Sequence, residues 1–210
     1  MALELSDGVT LYFARHGETE ANVEKRFQGQ TINTPLTEKG CAQAGDLAMI
    51  LSTDDRDFAA LDYVCSPLER AQATMELVRS HLGLLPVEDF RTDARLIEID
   101  LGAWDGLTAE EAEHRFPKQY AARQADKWTV NVPGGGENYA SVAARMTAFV
   151  ESLERDTFAI SHGAATRILR GLFQGLDWKQ MSALDEPQGV VFRVRGSEVV
   201  RLDPPKTDGA

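Results

Sequence analysis

The chain has 210 residues, 43% of them hydrophobic and 26% charged, with a formal net charge of −11. That length and balance fit one soluble globular unit with a sizeable core, and the acidity argues against nucleic acid or an anionic membrane as a partner, since both select basic patches. No apolar run reaches membrane-spanning length, and Met1–Asp7 lacks the cationic start and apolar stretch of a targeting signal, so a cytoplasmic location is expected.

Val9 to Ala14 is apolar apart from Thr10 and reads as a buried strand that breaks at Arg15-His16-Gly17. Gly17 is expected to let the backbone turn sharply. A guanidinium suited to phosphate and an imidazole able to act as a nucleophile thus stand together at a strand end. Thr34-Pro35-Leu36 reads as a turn and Thr37 as the cap of a helix with Cys41, Ala44, Ala48 and Leu51 inward. Leu61–Cys65 is the next strand. Ser66-Pro67-Leu68-Glu69 reads as a capping box with proline at the first helical position, opening a helix to about His81. Arg70 falls in its first turn, where a phosphate contact and a solvated helix charge are equally open readings.

Pro86–Thr92 reads as a further strand. In Arg95–Gly106, Glu98 lies between Ile97 and Ile99, with Trp104 nearby. An apolar setting would raise its pKa as a general acid requires, while an exposed loop carboxylate is the plainer reading of the pattern. Thr108–Glu111 is a second capping box and Pro117 interrupts the helix it opens. Pro133–Gly136 has neither the Walker spacing nor GxGxxG, so no nucleotide fingerprint is present. Asn138–Glu154 is an amphipathic helix with Val142, Met146, Phe149, Val150 and Leu153 inward. Thr157–Ile160 is a strand that breaks at Ser161-His162-Gly163, matching the first strand end, and Ala164–Phe173 follows as a helix. Gly189–Arg195 and Glu198–Leu202 read as a hairpin around Gly196-Ser197. Residues 1–203 form one expected domain, with 204–210 a flexible tail. Cys41 and Cys65 have no metal-binding spacing and are expected to be reduced and buried. The pattern assigns no oligomeric state.

Five segments together resemble the histidine phosphatase superfamily, also called phosphoglycerate-mutase-like. They are Arg15-His16-Gly17-Glu18-Thr19 with Asn22; Pro35-Leu36-Thr37 with Gly40; Ser66-Pro67-Leu68 with Arg70-Ala71; Glu98 with Gly102, Trp104 and Gly106; and Ser161-His162-Gly163. The resemblance implies an α/β fold, a mostly parallel central sheet with helices on both faces, and an insertion covering the site. It also implies roles. His16 is the expected nucleophile and Glu98 the proton donor. Arg15, Arg70 and His162, helped by Asn22 and Gly163, are expected to bind the phosphoryl oxygens. No metal and no cofactor is implied. Asn33, Ala164, Gln72-Ala73-Thr74 and the Gly134–Asn138 loop depart from the family pattern without removing a catalytic group.

The function expected from all this is hydrolysis of a small phosphorylated metabolite through a phosphohistidine. The alternatives are a cofactor-dependent phosphoglycerate mutase and a non-catalytic phosphate-binding regulator. The mutase is disfavoured because Arg115, Lys118, Arg123 and Lys127 include no Arg-Arg pair and are interleaved with Glu110, Glu111, Glu113 and Asp126.

Overall fold

The structure, a computed structural model, describes residues 2–205. In chain order the elements are β1 (Thr10–Arg15), α1 (Glu20–Val23), α2 (Glu38–Thr53), β2 (Asp62–Cys65), α3 (Glu69–His81), β3 (Arg91–Thr92), α4 (Ala109–Arg115), α5 (Pro117–Ala125), α6 (Tyr139–Glu151), β4 (Thr157–Ser161), α7 (Gly163–Phe173), α8 (Trp178–Ala183), β5 (Val191–Arg195) and β6 (Glu198–Leu202). The strands form one sheet in the order β3-β2-β4-β1-β5-β6. Pairings among β1 to β4 are parallel, and the β5–β6 hairpin adds antiparallel to β1. The expected mostly parallel sheet is present. Of the expected tail, residues 206–210 lie outside the described residues.

Strand alternation divides the core in two. Leu11, Phe13, Val64 and Ala159 pack against α6 and α7 through Val142, Met146, Phe149, Ile168 and Leu169. Tyr12, Ala14, Tyr63, Cys65, Phe158 and Ile160 point the other way, onto α2 and α3. A strand with both faces covered must be apolar throughout, which is why β1 and β4 read as unbroken runs. A third cluster, Trp104, Ala112 and Val132 with Phe27, Phe116 and Tyr120, holds the 97–137 insertion together. No helix among the described residues is long and apolar enough to cross a membrane.

Several local expectations are corrected. The inward stripe of α2 is Gly40, Ala44, Leu47, Ala48 and Leu51, so Cys41 is exposed while Cys65 is buried. Ala44, Ala48 and Leu51 are buried as expected, and Gly40 takes the place expected of Cys41 because it must pack on the Glu18 backbone, where a Cβ would overlap the Glu18 carbonyl. Gly17 does not need a positive φ; its Cβ would overlap the Gly40 carbonyl, so close approach of two backbones is what selects glycine. The Ser66 capping box does not form, and α3 starts at Glu69 with no side-chain cap. The Pro86–Thr92 strand shrinks to Arg91–Thr92, with a turn before it closed by Asp89 N–H to the Pro86 carbonyl at 3.2 Å. Helix α8, absent from the expectations, is opened by a capping box between Asp177 and Gln180.

Candidate active site

Parallel pairing puts the two His-Gly strand ends side by side. Arg15 on β1 is in register with Ser161 on β4, and the His16 N–H donates to the Ser161 carbonyl at 3.0 Å. The His16 and His162 rings lie 5.1 Å apart between centroids, and both are buried. β2 lies on the other side of β4, and Ser66 N–H donates to the Ile160 carbonyl at 2.9 Å. The rim of a parallel sheet at its carboxyl ends is where an α/β fold places ligands.

His16 Nδ1 lies 2.7 Å from the Gly17 carbonyl, which can only accept. That contact assigns the Nδ1–H tautomer and leaves the Nε2 lone pair to accept from Arg70. Burial, with the Arg15 and Arg70 charges adding to it, holds the His16 pKa well below the usual imidazole range, so the ring is neutral. Arg70 donates from Nε to His16 Nε2 at 3.2 Å and from Nη2 to the Gly29 carbonyl at 2.8 Å. Burial pushes its pKa down to about 10. His162 Nε2 lies 2.7 Å from Ser66 Oγ, and its Nδ1 is buried without a partner. Ser66 Oγ also accepts from Leu68 N–H at 3.3 Å, so it holds the turn just before α3 and the second imidazole together. Burial, then the Arg70 charge, also lowers the His162 pKa far below normal.

Glu98 is buried, not an exposed loop carboxylate. Its Oε1 accepts from the N–H groups of Ile99 at 2.8 Å and Ala165 at 3.2 Å, and Oε2 from Ala164 N–H at 3.2 Å. Burial and the Glu186 charge raise its pKa, against the Ile99 amide and the Arg70 and Arg15 charges. The amides tie Glu98 to the first turn of α7, which makes Ala164 a backbone contact of the site. Asn22 Oδ1 accepts from Thr19 N–H at 3.2 Å and Gln188 Nε2 at 3.1 Å, leaving its amide hydrogens free.

Arg15, His16, Asn22 and Glu98 line one cavity of about 360 Å³. Arg70 and His162 sit behind His16 and reach it through the contacts above. Gly163 opens α7, where a Cβ would come within 2.5 Å of Glu186 Oε2. The remaining departures from the family pattern are structural. Asn33 Nδ2 donates to Glu69, and Glu137 accepts from Asp100 N–H at 2.9 Å while pairing with Arg145 at 3.3 Å.

The outer half of the cavity contains groups that sequence reasoning did not assign to the site. Arg123, Lys127, Tyr139, Arg167 and Glu186 line it, with Phe27 and Trp104 stacked at 6.1 Å on the apolar wall. Arg123 is buried, with its guanidinium 5.2 Å from the Tyr139 ring centre. Burial and the Arg167 and Arg123 charges lower the Lys127 pKa. Among the described residues no carboxylate lies within 4.0 Å of the Lys127 ammonium or the Arg123 guanidinium. Arg123 and Lys127 line the cavity, and the carboxylates that act on them are Asp126 for Arg123 and Glu186 for Lys127 rather than Glu110, Glu111 or Glu113. No periodicity marks the pair, because Lys127 lies past the end of α5. Among the described residues no three His, Cys, Asp or Glu side chains cluster so as to hold a metal ion.

Comparison with known proteins follows the same lines. The profile of the histidine phosphatase superfamily (branch 1) matches residues 11–198. A 6-phosphofructo-2-kinase/fructose-2,6-bisphosphatase of Caenorhabditis elegans is 31% identical over 85% of this chain and 37% of its own length. A fructose-2,6-bisphosphatase of Saccharomyces cerevisiae is 28% identical over 91% and 41%. The chain spans less than half the length of these curated relatives. Among solved structures, the alpha-ribazole phosphatase of Shigella flexneri superposes with a TM-score of 0.78 at 26% identity, covering 96% of this chain and 99% of the other. A mycobacterial glucosyl-3-phosphoglycerate phosphatase gives 0.74 at 26% identity, over 93% and 99%.

Proposed function

The chain belongs to the histidine phosphatase superfamily, branch 1, and on that premise we propose that it is a phosphomonoesterase acting on a small phosphorylated metabolite through a phosphohistidine at His16. The observation that carries this reading is the state of His16. Its tautomer is fixed by the Gly17 carbonyl, its ring is neutral, and its Nε2 lone pair sits 3.2 Å from the Arg70 guanidinium. Such a nitrogen can attack phosphorus without first losing a proton, once the Arg70 Nε–H turns from it to a phosphoryl oxygen.

Phosphoryl transfer is mainly a matter of positioning and charge stabilisation. Arg15, Arg70 and His162 surround the transferred group, with Asn22 at its edge. Ser66 donating to His162 Nε2 leaves the proton on Nδ1, which then donates to a phosphoryl oxygen. As the Nε2–P bond forms and the P–O bond breaks, the departing oxygen takes the proton of Glu98. Oε2, with a single amide contact, is the oxygen that carries it. Water then attacks the phosphohistidine, returns a proton to Glu98, and the P–N bond breaks to release orthophosphate.

Lys127 and Arg123 suit a second anionic group on the substrate, and the names of relatives and structural neighbours include a bisphosphatase and a phosphoglycerate-derived substrate. The same cations favour a second reading, a phosphoglycerate mutase, because a mutase must also hold a second anion. One experiment separates them. The protein is given a panel of phosphate monoesters, and 3-phosphoglycerate with catalytic 2,3-bisphosphoglycerate, while free phosphate and 2-phosphoglycerate are followed. Phosphate release outpacing isomerisation is expected. Isomerisation outpacing release would replace this reading with the mutase, and neither activity would remove both.

A further inference from the structure

Glu186 makes no bond and moves no proton in the steps above, although its charge helps to raise the Glu98 pKa, and it stands between two of the cavity's arginines. It lies on the loop between α8 and β5. Its Oε1 is 2.9 Å from Arg167 Nη1 and its Oε2 is 3.6 Å from Arg15 Nη1. Its backbone carbonyl accepts from the same Arg15 Nη1 at 2.9 Å. Arg15 Nε is buried and has no partner. One edge of the Arg15 guanidinium is therefore occupied by Glu186, and the Nε edge is the one left to grip a ligand. Among the described residues no other carboxylate lies within 4.0 Å of Arg15 or Arg167. Gly163 leaves room for this arrangement, since a Cβ there would also approach Arg15 Cζ to 3.3 Å.

A fixed carboxylate beside a phosphate grip works against ground-state binding of an anion. A hydrolase that releases orthophosphate gains from that, because binding product or substrate ever more tightly does not speed the chemical step. We propose that Glu186 is a positioning residue that orients Arg15 and restrains phosphate affinity, so that the dianionic product is released rather than trapped. Its backbone carbonyl supplies orientation and its carboxylate supplies the opposing charge. The inference rests on the phosphatase reading of the site.

The test is orthophosphate affinity, measured by calorimetry and as competitive inhibition of p-nitrophenyl phosphate hydrolysis, for the wild type, Glu186→Gln and Glu186→Asp. Glutamine keeps the shape and the backbone carbonyl while removing one charge near a dianion, so binding is expected to tighten about tenfold, or about 1.4 kcal/mol. Aspartate keeps the charge and is expected to bring affinity most of the way back. A group that merely held Arg15 in place would give the opposite sign, weaker binding in Glu186→Gln. Unchanged or weaker binding in that variant, or an Asp variant that binds as tightly as the Gln variant, would overturn the proposal and leave the phosphatase reading intact. A wild-type protein that hydrolyses neither p-nitrophenyl phosphate nor any other phosphate monoester would remove the phosphatase reading and this inference with it.

Discussion

Arg70→Met is expected to inactivate the protein while leaving it nearly as stable. Arg70 is 2% exposed, and among the described residues no carboxylate lies within 4.0 Å of it. Its pKa falls from the ordinary guanidinium range to about 10, chiefly through burial. A depressed pKa on a cation means that the folded state disfavours the charge. The penalty is present in full below the folded value and fades only as pH rises from about 10 towards the ordinary guanidinium range, so at pH 7 it amounts to about 3 kcal/mol. Against it stand the hydrogen bonds to the Gly29 carbonyl at 2.8 Å, His16 Nε2 at 3.2 Å, the Gln28 carbonyl at 3.3 Å and the Ile32 carbonyl at 3.4 Å, worth about 1 kcal/mol each. Methionine fills much of the volume, removes the charge and forfeits those bonds. The two effects nearly cancel, and the unfolding free energy from urea titration should move by no more than about 1–2 kcal/mol. Loss of one donor to a developing phosphoryl charge costs about 10²–10³-fold, so kcat/KM on p-nitrophenyl phosphate should fall at least that far. A loss of stability beyond about 4 kcal/mol, the scale of a broken buried ion pair, would show that Arg70 is a structural strut and refute the reasoning.

Other outcomes follow from the same geometry. His16→Ala should abolish the base-stable, acid-labile label left by a radiolabelled ester; label persisting in the variant would place the nucleophile elsewhere. Glu98→Gln should slow hydrolysis of alkyl phosphates by roughly 10²–10⁴-fold while sparing the burst of p-nitrophenyl phosphate, whose leaving group departs without a proton; equal burst losses would show that Glu98 is not the acid. Because His16 and His162 have folded pKa values below their unfolded ones, the unfolded state takes up protons the folded pair refuses, and stability should fall as pH drops below about 6.5. A His16→Asn, His162→Asn double variant should lose part of that slope in urea midpoints between pH 7.5 and 5.5, and an unchanged slope would contradict the neutral rings. Lys127→Gln should raise KM at least tenfold for substrates with a second anion and leave p-nitrophenyl phosphate nearly unaffected; equal effects on both would mean that Lys127 does not read a second anion.

The parts of the fold legible in the sequence are those where one local cause decides. β1 and β4 are buried on both faces, so their apolar runs announce them, and Thr37, Thr108 and Asn138 cap the helices they precede. Where a long-range partner competes, the local signal misleads. Ser66 is a good cap by sequence, but its Oγ accepts from Leu68 N–H, one residue ahead of the helix, and faces His162 across the sheet. The α2 stripe begins at Gly40 because two backbones must touch there, and a pattern that counts side chains does not register a residue without one. Residues 86–92 have strand-like composition but only two of them reach Val64 and Cys65.

The inner site was legible for a related reason. Arg15-His16 and Ser161-His162 sit at strand ends, where the sheet fixes their position, so the repeated pattern carried the geometry with it. The outer site comes from pieces with no common pattern: Arg123 and Lys127 around the end of α5, Tyr139 at the start of α6, Arg167 on α7 and Glu186 on a loop. Each alone is an ordinary surface charge or core ring, and only packing brings them onto one cavity. There they reverse what the composition suggests. A chain of net charge −11 presents a cavity lined by five cationic side chains, Arg15, Arg26, Arg123, Lys127 and Arg167, against the carboxylates Glu98 and Glu186. Arg26 is paired with Glu24 and Glu111, and with Glu98 held towards its neutral form Glu186 is the main carboxylate in the cavity opposing the other four. The field that a small anion meets is therefore set by a few inward-facing groups, while the acidic exterior turns away large polyanions. This division of charge favours a small phosphorylated metabolite over nucleic acid more directly than the net charge does.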